Sequence, residues 1–297
     1  MNLIYIIKPE DEGKTVKDIL RNDLKLSSTL TRRLKTIADG ITLDNVHVTV
    51  RAAVKSGQTL SLKTEDMYSS PNITPTQGRV DIVYEDNDII IINKAFGTAV
   101  HPSPGHSCDT VANILAWRAK EQNTPFVFRA VNRLDSGTGG LMCIAKNADA
   151  GAKLSAHLSQ KSIKRVYEAV LCGEMESTGG TIDLPIGKSE GSGIKRCVRA
   201  DGENAVTHYK VLERKNGLTR AEIELKTGRT HQIRVHFSHL GHPVWGDFMY
   251  GVETSFNGWA LFSKSISFVH PTTQENISLS VPVPEFFDKL MEGKGDI

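Results

Sequence analysis

One carboxylate stands in a tight, glycine-rich run, Arg133-Leu134-Asp135-Ser136-Gly137-Thr138-Gly139-Gly140-Leu141, directly after an arginine. About ninety residues later comes a second polar run, Gly228-Arg229-Thr230-His231-Gln232-Ile233-Arg234. An Asp beside Gly can be a turn residue and nothing more. Two such runs, each following a strand-like stretch, instead suggest two halves of one site. A carboxylate there could attack a carbon centre or move a proton. A guanidinium from the other run would hold it ionised, because a neighbouring cation favours the charged form of an acid.

A rival reading starts from the histidines. His231, His236, His239 and His242 lie within twelve positions, and histidine is the commonest metal ligand. On a helix 236 and 239 share a face, but 231 and 236 do not, and no carboxylate joins them at helical spacing. No metal is expected, and the histidines are read as capping, packing or phosphate-contacting residues.

Elements must bring the two runs together. A chain of 297 residues suits two domains. From Val80 the pattern is strand-rich. Asp81–Asp86 and the apolar run 89–94 are expected to be strands, the second buried on both faces. Helices are expected over 108–120 and 148–161, and strands over 141–146 and 164–171. The glycine-containing segment 182–198 is read as a flexible insertion or a loop that faces the substrate. Before residue 64 the pattern differs. A helix opens at Thr15, and a second begins near Ser27, with Leu30, Leu34 and Ile37 as its apolar stripe and a Ser or Thr as its N-cap. An Asp44-Asn45 turn then joins two short strands, and another strand ends near Leu62. Residues 64–79, rich in Pro, Ser and Thr, are read as a linker. The domains expected are 12–63 and 80–290, in the α+β class.

Charge follows the same division. The net charge is only +2. Residues 12–63, however, hold ten Lys/Arg, Lys25 among them, against five Asp/Glu, a local excess of five. That asymmetry suggests phosphate contacts concentrated at one end. Arg32, Arg33 and Lys35 on the second helix are the candidates there, with Arg234 as a further RNA contact. Four scattered cysteines, with no Cys-x-x-Cys pair, fit a reducing cytoplasm. No apolar run is long enough to span a bilayer, and the apolar start at Leu3 reads as a first strand, not a signal peptide.

The Arg-Leu-Asp run resembles the signature of the RluA/RluD family of RNA pseudouridine synthases. Further motifs are similar in order and spacing: Lys94-Ala95-Phe96-Gly97 leading to His101-Pro102, Lys164-x-x-Tyr167, and the block from Thr227 to Gly251. The chain departs from the family pattern at Ala95, Asn132 and Gly139. Helix, helix, hairpin and strand before residue 64 resemble an S4-type RNA-binding domain. The resemblance implies a mixed or antiparallel sheet catalytic domain and isomerisation of uridine without a cofactor. Asp135 would be the catalytic residue and Arg229 its ionic partner. Tyr167 would support the uracil, with Ile233 lining its pocket. Arg133 would meet the flipped nucleotide's phosphate or fill its gap. The substrate expected is RNA, ribosomal before transfer RNA, acted on by a monomer. A protein of another class, one that binds or folds RNA without catalysis, would need neither Asp135 nor Arg229.

If the basic N-terminal segment dominates binding, RNA affinity falls steeply with salt, because each neutralised phosphate releases counterions. A dissociation constant for the host's total RNA that stays unchanged from low to moderate salt would remove that role.

Overall fold

The computed structural model describes residues 3–294 apart from 25, 27, 65, 67 and 68, and only the backbone of Thr29. Lys25 of the basic set and Ser27, one candidate N-cap, lie outside the described residues, as does the linker's 65, 67 and 68.

The N-terminal unit contains β1 (Leu3–Ile6), α1 (Val16–Asp18, continued by a π turn Ile19–Asp23), α2 (Ser28–Thr36), β2 (Ile41–Leu43), β3 (Val46–His47) and β4 (Thr59–Leu62). Thr15 caps α1 in a reciprocal capping box with Asp18. Asp44 and Asn45 both take left-handed backbone, the conformation a two-residue hairpin turn requires. The strands pair in the order β1-β4-β2-β3. Because β1 pairs along β4, the unit begins near residue 3 and not at 12. Its core is its own: Val16, Ile19, Leu20, Leu30, Leu34, Ile41, Leu60 and Leu62 pack together.

The larger unit is built on nine strands: β5 (Asp81–Glu85), β6 (Ile89–Lys94), β7 (Gly139–Ala145), β8 (Lys164–Cys172), β9 (Gly179–Asp183), β12 (Val206–Lys215), β13 (Leu218–Leu225), β14 (Leu261–Val269) and β15 (Asn276–Ser280). The order is β5-β6-β7-β14-β8-β13-β12-β9, with β15 added to β14. All pairings are antiparallel except β7 with β14, so the sheet is mixed. A separate hairpin, β10 (Ile186–Lys188) and β11 (Arg196–Val198), occupies the segment expected to be a flexible insertion. Ile186 is buried there beside Val235, and that apolar contact orders the segment.

Period-two alternation divides the sheet's two faces. Ile90, Ile92, Met142, Ile144, Tyr167 and Ala169 face α3 (Val111–Glu121) and α5 (Gln232–His239). Ile89, Ile91, Leu141 and Cys143 face α4 (Ala148–Ser159) on the other side. Phe262 and Val170 pack under α6 (Phe286–Met291) on that side too. This explains the uninterrupted apolar run of β6: both of its faces are covered.

The segment read as a linker is fastened down. Asp66 accepts two hydrogen bonds from Arg129, at 2.6 and 2.7 Å, and one from Arg33 at 2.7 Å. Ser70 N–H donates to Phe126 O and Thr76 N–H to Asn113 O. Arg33, expected at RNA, therefore faces the larger unit. It neighbours the buried Leu34 on α2, so it falls at the edge of the apolar stripe, whereas Arg32 and Lys35 remain exposed.

The one parallel contact in the sheet depends on a glycine. Gly140 has φ +104°, and a Cβ there would sit 2.4 Å from the Ser263 carbonyl oxygen. Gly140→Ala is expected to destabilise the protein by more than ~1 kcal/mol, since a left-handed conformation and a backbone clash act together. Urea unfolding would show a lower midpoint at unchanged slope; an unaltered midpoint would contradict the steric argument.

Candidate active site

The carboxylate is held by local structure first. Thr138 N–H donates to Asp135 O, closing a turn immediately before β7. Gly137 within that turn leaves room for an indole: a Cβ there would lie 2.6 Å from the Trp259 ring. Trp259 in turn donates from Nε1 to Thr138 Oγ1 at 2.8 Å. Upstream, the buried Asn132 accepts a hydrogen bond from Cys143 N–H through Oδ1, which ties the strip before Asp135 to β7. Buried Lys94 donates to the carbonyls of Ala95, Thr98 and Ser136, so its three ammonium protons serve three acceptors, one of them next to Asp135. Burial pulls the Lys94 ammonium down to about 7, and the Asp135 charge opposes that pull.

The cation that meets Asp135 is Arg234, not Arg229. Arg234 Nη1 donates to Asp135 Oδ2 at 2.9 Å. Its other side makes a two-point contact with Asp247, Nε to Oδ2 at 2.6 Å and Nη2 to Oδ1 at 2.8 Å. The guanidinium lies 3.7 Å from the Trp259 ring centre and 5.0 Å from that of Tyr250. Arg229 instead pairs with Glu203 and donates from Nε to Asn204 O. The difference is one of position on the chain. Arg229 precedes α5 in the loop, whereas Arg234 is inside the helix on its buried face. Arg234 is 1% exposed, so it cannot serve as the surface RNA contact expected of it. Burial opposes its charge, but Asp247 and Asp135 outweigh that effect and push its pKa up.

The other expected residues divide. Tyr167 is buried on the floor of the cavity that Asp135 enters, and burial raises its phenol pKa. Ile233 is buried beside Asp135, Tyr167 and Arg234. Arg133 is exposed at the same cavity. Arg229 borders it while held by Glu203. Arg32 and Lys35 are on the N-terminal unit, outside the residues that line the cavity.

The histidines do not converge. His231 Nδ1 meets Tyr250 Oη at 2.8 Å, and its Nε2 stands 3.9 Å from Asp135. Burial lowers the His231 pKa against the pull of Asp135. His236 is buried between Thr207 Oγ1 and Leu184 O, and His242 faces Cys172 O.

Asp247, Trp259, Tyr250 and Lys94 were missed as site residues. The nearest signal was the Gly246-Asp247 pair inside the quoted block, and its spacing alone gives no reason to aim it at Arg234.

The cavity measures about 860 Å³ and opens over Asp135. Among the described residues six cations line it, Arg133, Lys161, Arg165, Lys226, Arg229 and Arg234, and Asp135 is the only carboxylate. This arrangement suits a polyanion that delivers one planar group to one acid.

The comparisons agree with the geometry. Residues 88–239 match the family described as RNA pseudouridylate synthase. An uncharacterized RNA pseudouridine synthase of Bacillus subtilis, YjbO, is 36% identical over 281 residues, covering 94% of this chain and 99% of that protein. Ribosomal large subunit pseudouridine synthase D of Pseudomonas aeruginosa is 39% identical, covering 84% of this chain and 83% of its own. The solved structure of human RNA pseudouridylate synthase domain containing 1 superposes with a TM-score of 0.60 at 26% identity, over 71% of this chain and 86% of that one. The chain belongs to the RNA pseudouridylate synthase family. It is an isomerase that converts uridine in RNA to pseudouridine, on a mixed α+β fold with one large mixed sheet. Among the described residues no helix is long and apolar enough to cross a membrane.

Asp247→Ala would leave Arg234 buried with half of its counter-charge gone. The expected cost is ~3–5 kcal/mol, the usual consequence of breaking a buried pair from one side. Thermal unfolding checks this, and a shift smaller than that of a typical surface substitution would show Asp247 to be dispensable.

Proposed function

We propose that the enzyme isomerises particular uridines in structured ribosomal RNA, acting as a monomer with Asp135 as the catalytic carboxylate. The observation that carries the assignment is that, among the described residues, Asp135 is the only acid in a cavity lined by six cations. The ribosomal substrate is supported by relatives named ribosomal large subunit pseudouridine synthase D, from Pseudomonas aeruginosa and from Xanthomonas campestris.

The reaction breaks the bond between uracil N1 and ribose C1′, turns the base, and joins C5 to C1′. The proton on C5 leaves and N1 gains one, so no oxidant, reductant or second substrate is consumed. The uridine must leave its stack to reach a carboxylate at this depth, which costs a few kcal/mol. Tyr167, on the cavity floor, returns ~1–3 kcal/mol by stacking on the extruded ring. Ile233 completes the apolar wall beside it. Arg234 aims Asp135, donating from Nη1 to its Oδ2 at 2.9 Å. Arg133, exposed at the cavity, meets the RNA backbone or occupies the space the uridine vacates, and Arg229 adds positive potential at the rim.

The N-terminal unit, residues 3–63, acts as an S4-like RNA-binding domain. Its two helices, its hairpin and the exposed Arg32 and Lys35 support that reading. The larger unit, from about residue 80 to 290, performs the chemistry.

Asp135→Asn keeps the shape of the side chain and removes its charge. Pseudouridine mapping of total RNA from the host and from the Asp135→Asn strain is expected to show at least one ribosomal site lost, with the protein still folded. An identical map in both strains would overturn the role of Asp135, and a lost site confined to transfer RNA would overturn the ribosomal substrate.

A further inference from the structure

Among the described residues three lysine or arginine side chains are buried: Lys94, Arg165 and Arg234. Two of them are satisfied within the protein. Lys94 has three carbonyl acceptors, and Arg234 has two carboxylates. Arg165 is different. It is 7% exposed, and its Nε is buried without a hydrogen-bond partner. No carboxylate among the described residues forms an ion pair with it. A guanidinium out of water without an anion costs several kcal/mol, and such a charge is tolerated where a ligand supplies the missing partner.

The position of Arg165 identifies that ligand. Residues 165 and 167 lie on the same face of β8, so Arg165 and Tyr167 project together toward the cavity that holds Asp135. The guanidinium is near enough to the Tyr167 phenol for its charge to act on it. Opposite stands Gly228, where an added Cβ would come to 3.5 Å from both Nη1 and Nη2. The loop therefore approaches the planar fork with no side chain of its own. Uracil and ribose are neutral, and phosphate is the one anion that a nucleotide brings. The forked donors of arginine match two phosphate oxygens at once.

We propose that Arg165 binds an RNA backbone phosphate adjacent to the flipped uridine, anchoring the nucleotide while its base rests on Tyr167. The proposal deepens the reading of the site given above and rests on it. Arg165 is then a substrate-binding residue that fixes how far the sugar enters the cavity, and hence whether C1′ reaches Asp135.

The test measures kcat/KM for pseudouridine formation at several salt concentrations. The substrate is total RNA from cells lacking this protein, and the enzymes are wild type, Arg165→Gln and Arg165→Lys. For Arg165→Gln the expected result is a loss of about 10- to 100-fold, with a slope of log(kcat/KM) against log[salt] shallower by about one, as for one lost phosphate contact. Arg165→Lys keeps the charge without the fork, so it should keep the wild-type slope at a reduced rate. An active Arg165→Gln enzyme with the wild-type slope would overturn the proposal, since a merely structural arginine would not change counterion release. If Arg165→Gln does not fold, Arg165→Met, which also removes the charge but keeps the apolar stem, decides: a slope shallower by about one supports the proposal and the wild-type slope overturns it. A wild-type enzyme that forms no pseudouridine in this RNA would sink the parent reading, and this one with it.

Discussion

The site depends on one buried guanidinium. Arg234 is surrounded by Asp247 and Tyr250 from one short segment and by Asp135 and Trp259 from two others. Desolvating such a charge costs several kcal/mol, and excellent geometry is needed to offset it. Asp247 supplies most of that geometry, with both oxygens engaged and further hydrogen bonds from Met249 and Tyr250 N–H. The arginine therefore arrives at Asp135 already oriented, and only one of its donors is spent there. The two aromatic faces contribute cation–π attraction and exclude water from the pair. Electrostatic catalysis requires a carboxylate oriented before substrate arrives, and this contact orients Asp135 without one.

The sheet exists to hold the two ends of that contact in register. Asp135 precedes β7, and Trp259 precedes β14; among the described residues these two strands form the only parallel pairing in the sheet. Glycine at 140 permits the backbones to approach, and glycine at 137 lets the indole lie under the turn. The glycine-rich character of the run after Asp135 is thus a packing requirement on both of its sides. Arg234 comes from the opposite direction, on a helix that covers the same sheet face through Ile233 and Phe237.

Much of this was legible in the sequence, for reasons specific to each element. An uninterrupted apolar run placed β6, because burial on both faces leaves a direct pattern; β8, expected to alternate, is instead buried on both faces from Tyr167 to Leu171. The turn at Asp44-Asn45 follows from residue type, since few residues tolerate two left-handed positions in succession. What could not be read was direction. Arg229 and Arg234 are five residues apart in one motif, and the difference between rim and core is where the helix starts, set by the left-handed His231 at its N-terminus. In the same way Arg33 differs from Arg32 only by one step around a helix, and that step turns it from solvent to Asp66. Asp247 and Trp259 depended on tertiary contacts that no local spacing encodes.

The contact at Asp66 has a consequence for the two units as a pair. One carboxylate, 5% exposed, neutralises an arginine from each of them. Without it two guanidinium groups would face one another at the same seam, so the point of attachment would become a point of repulsion. This sheltered charge, together with Ala148 packed against the N-terminal core, ties the two units and so sets the span between the basic helix and the cavity. A span fixed in this way acts as a bracket, holding the exposed Arg32 and Lys35 of the first unit at a set reach from the cavity over Asp135.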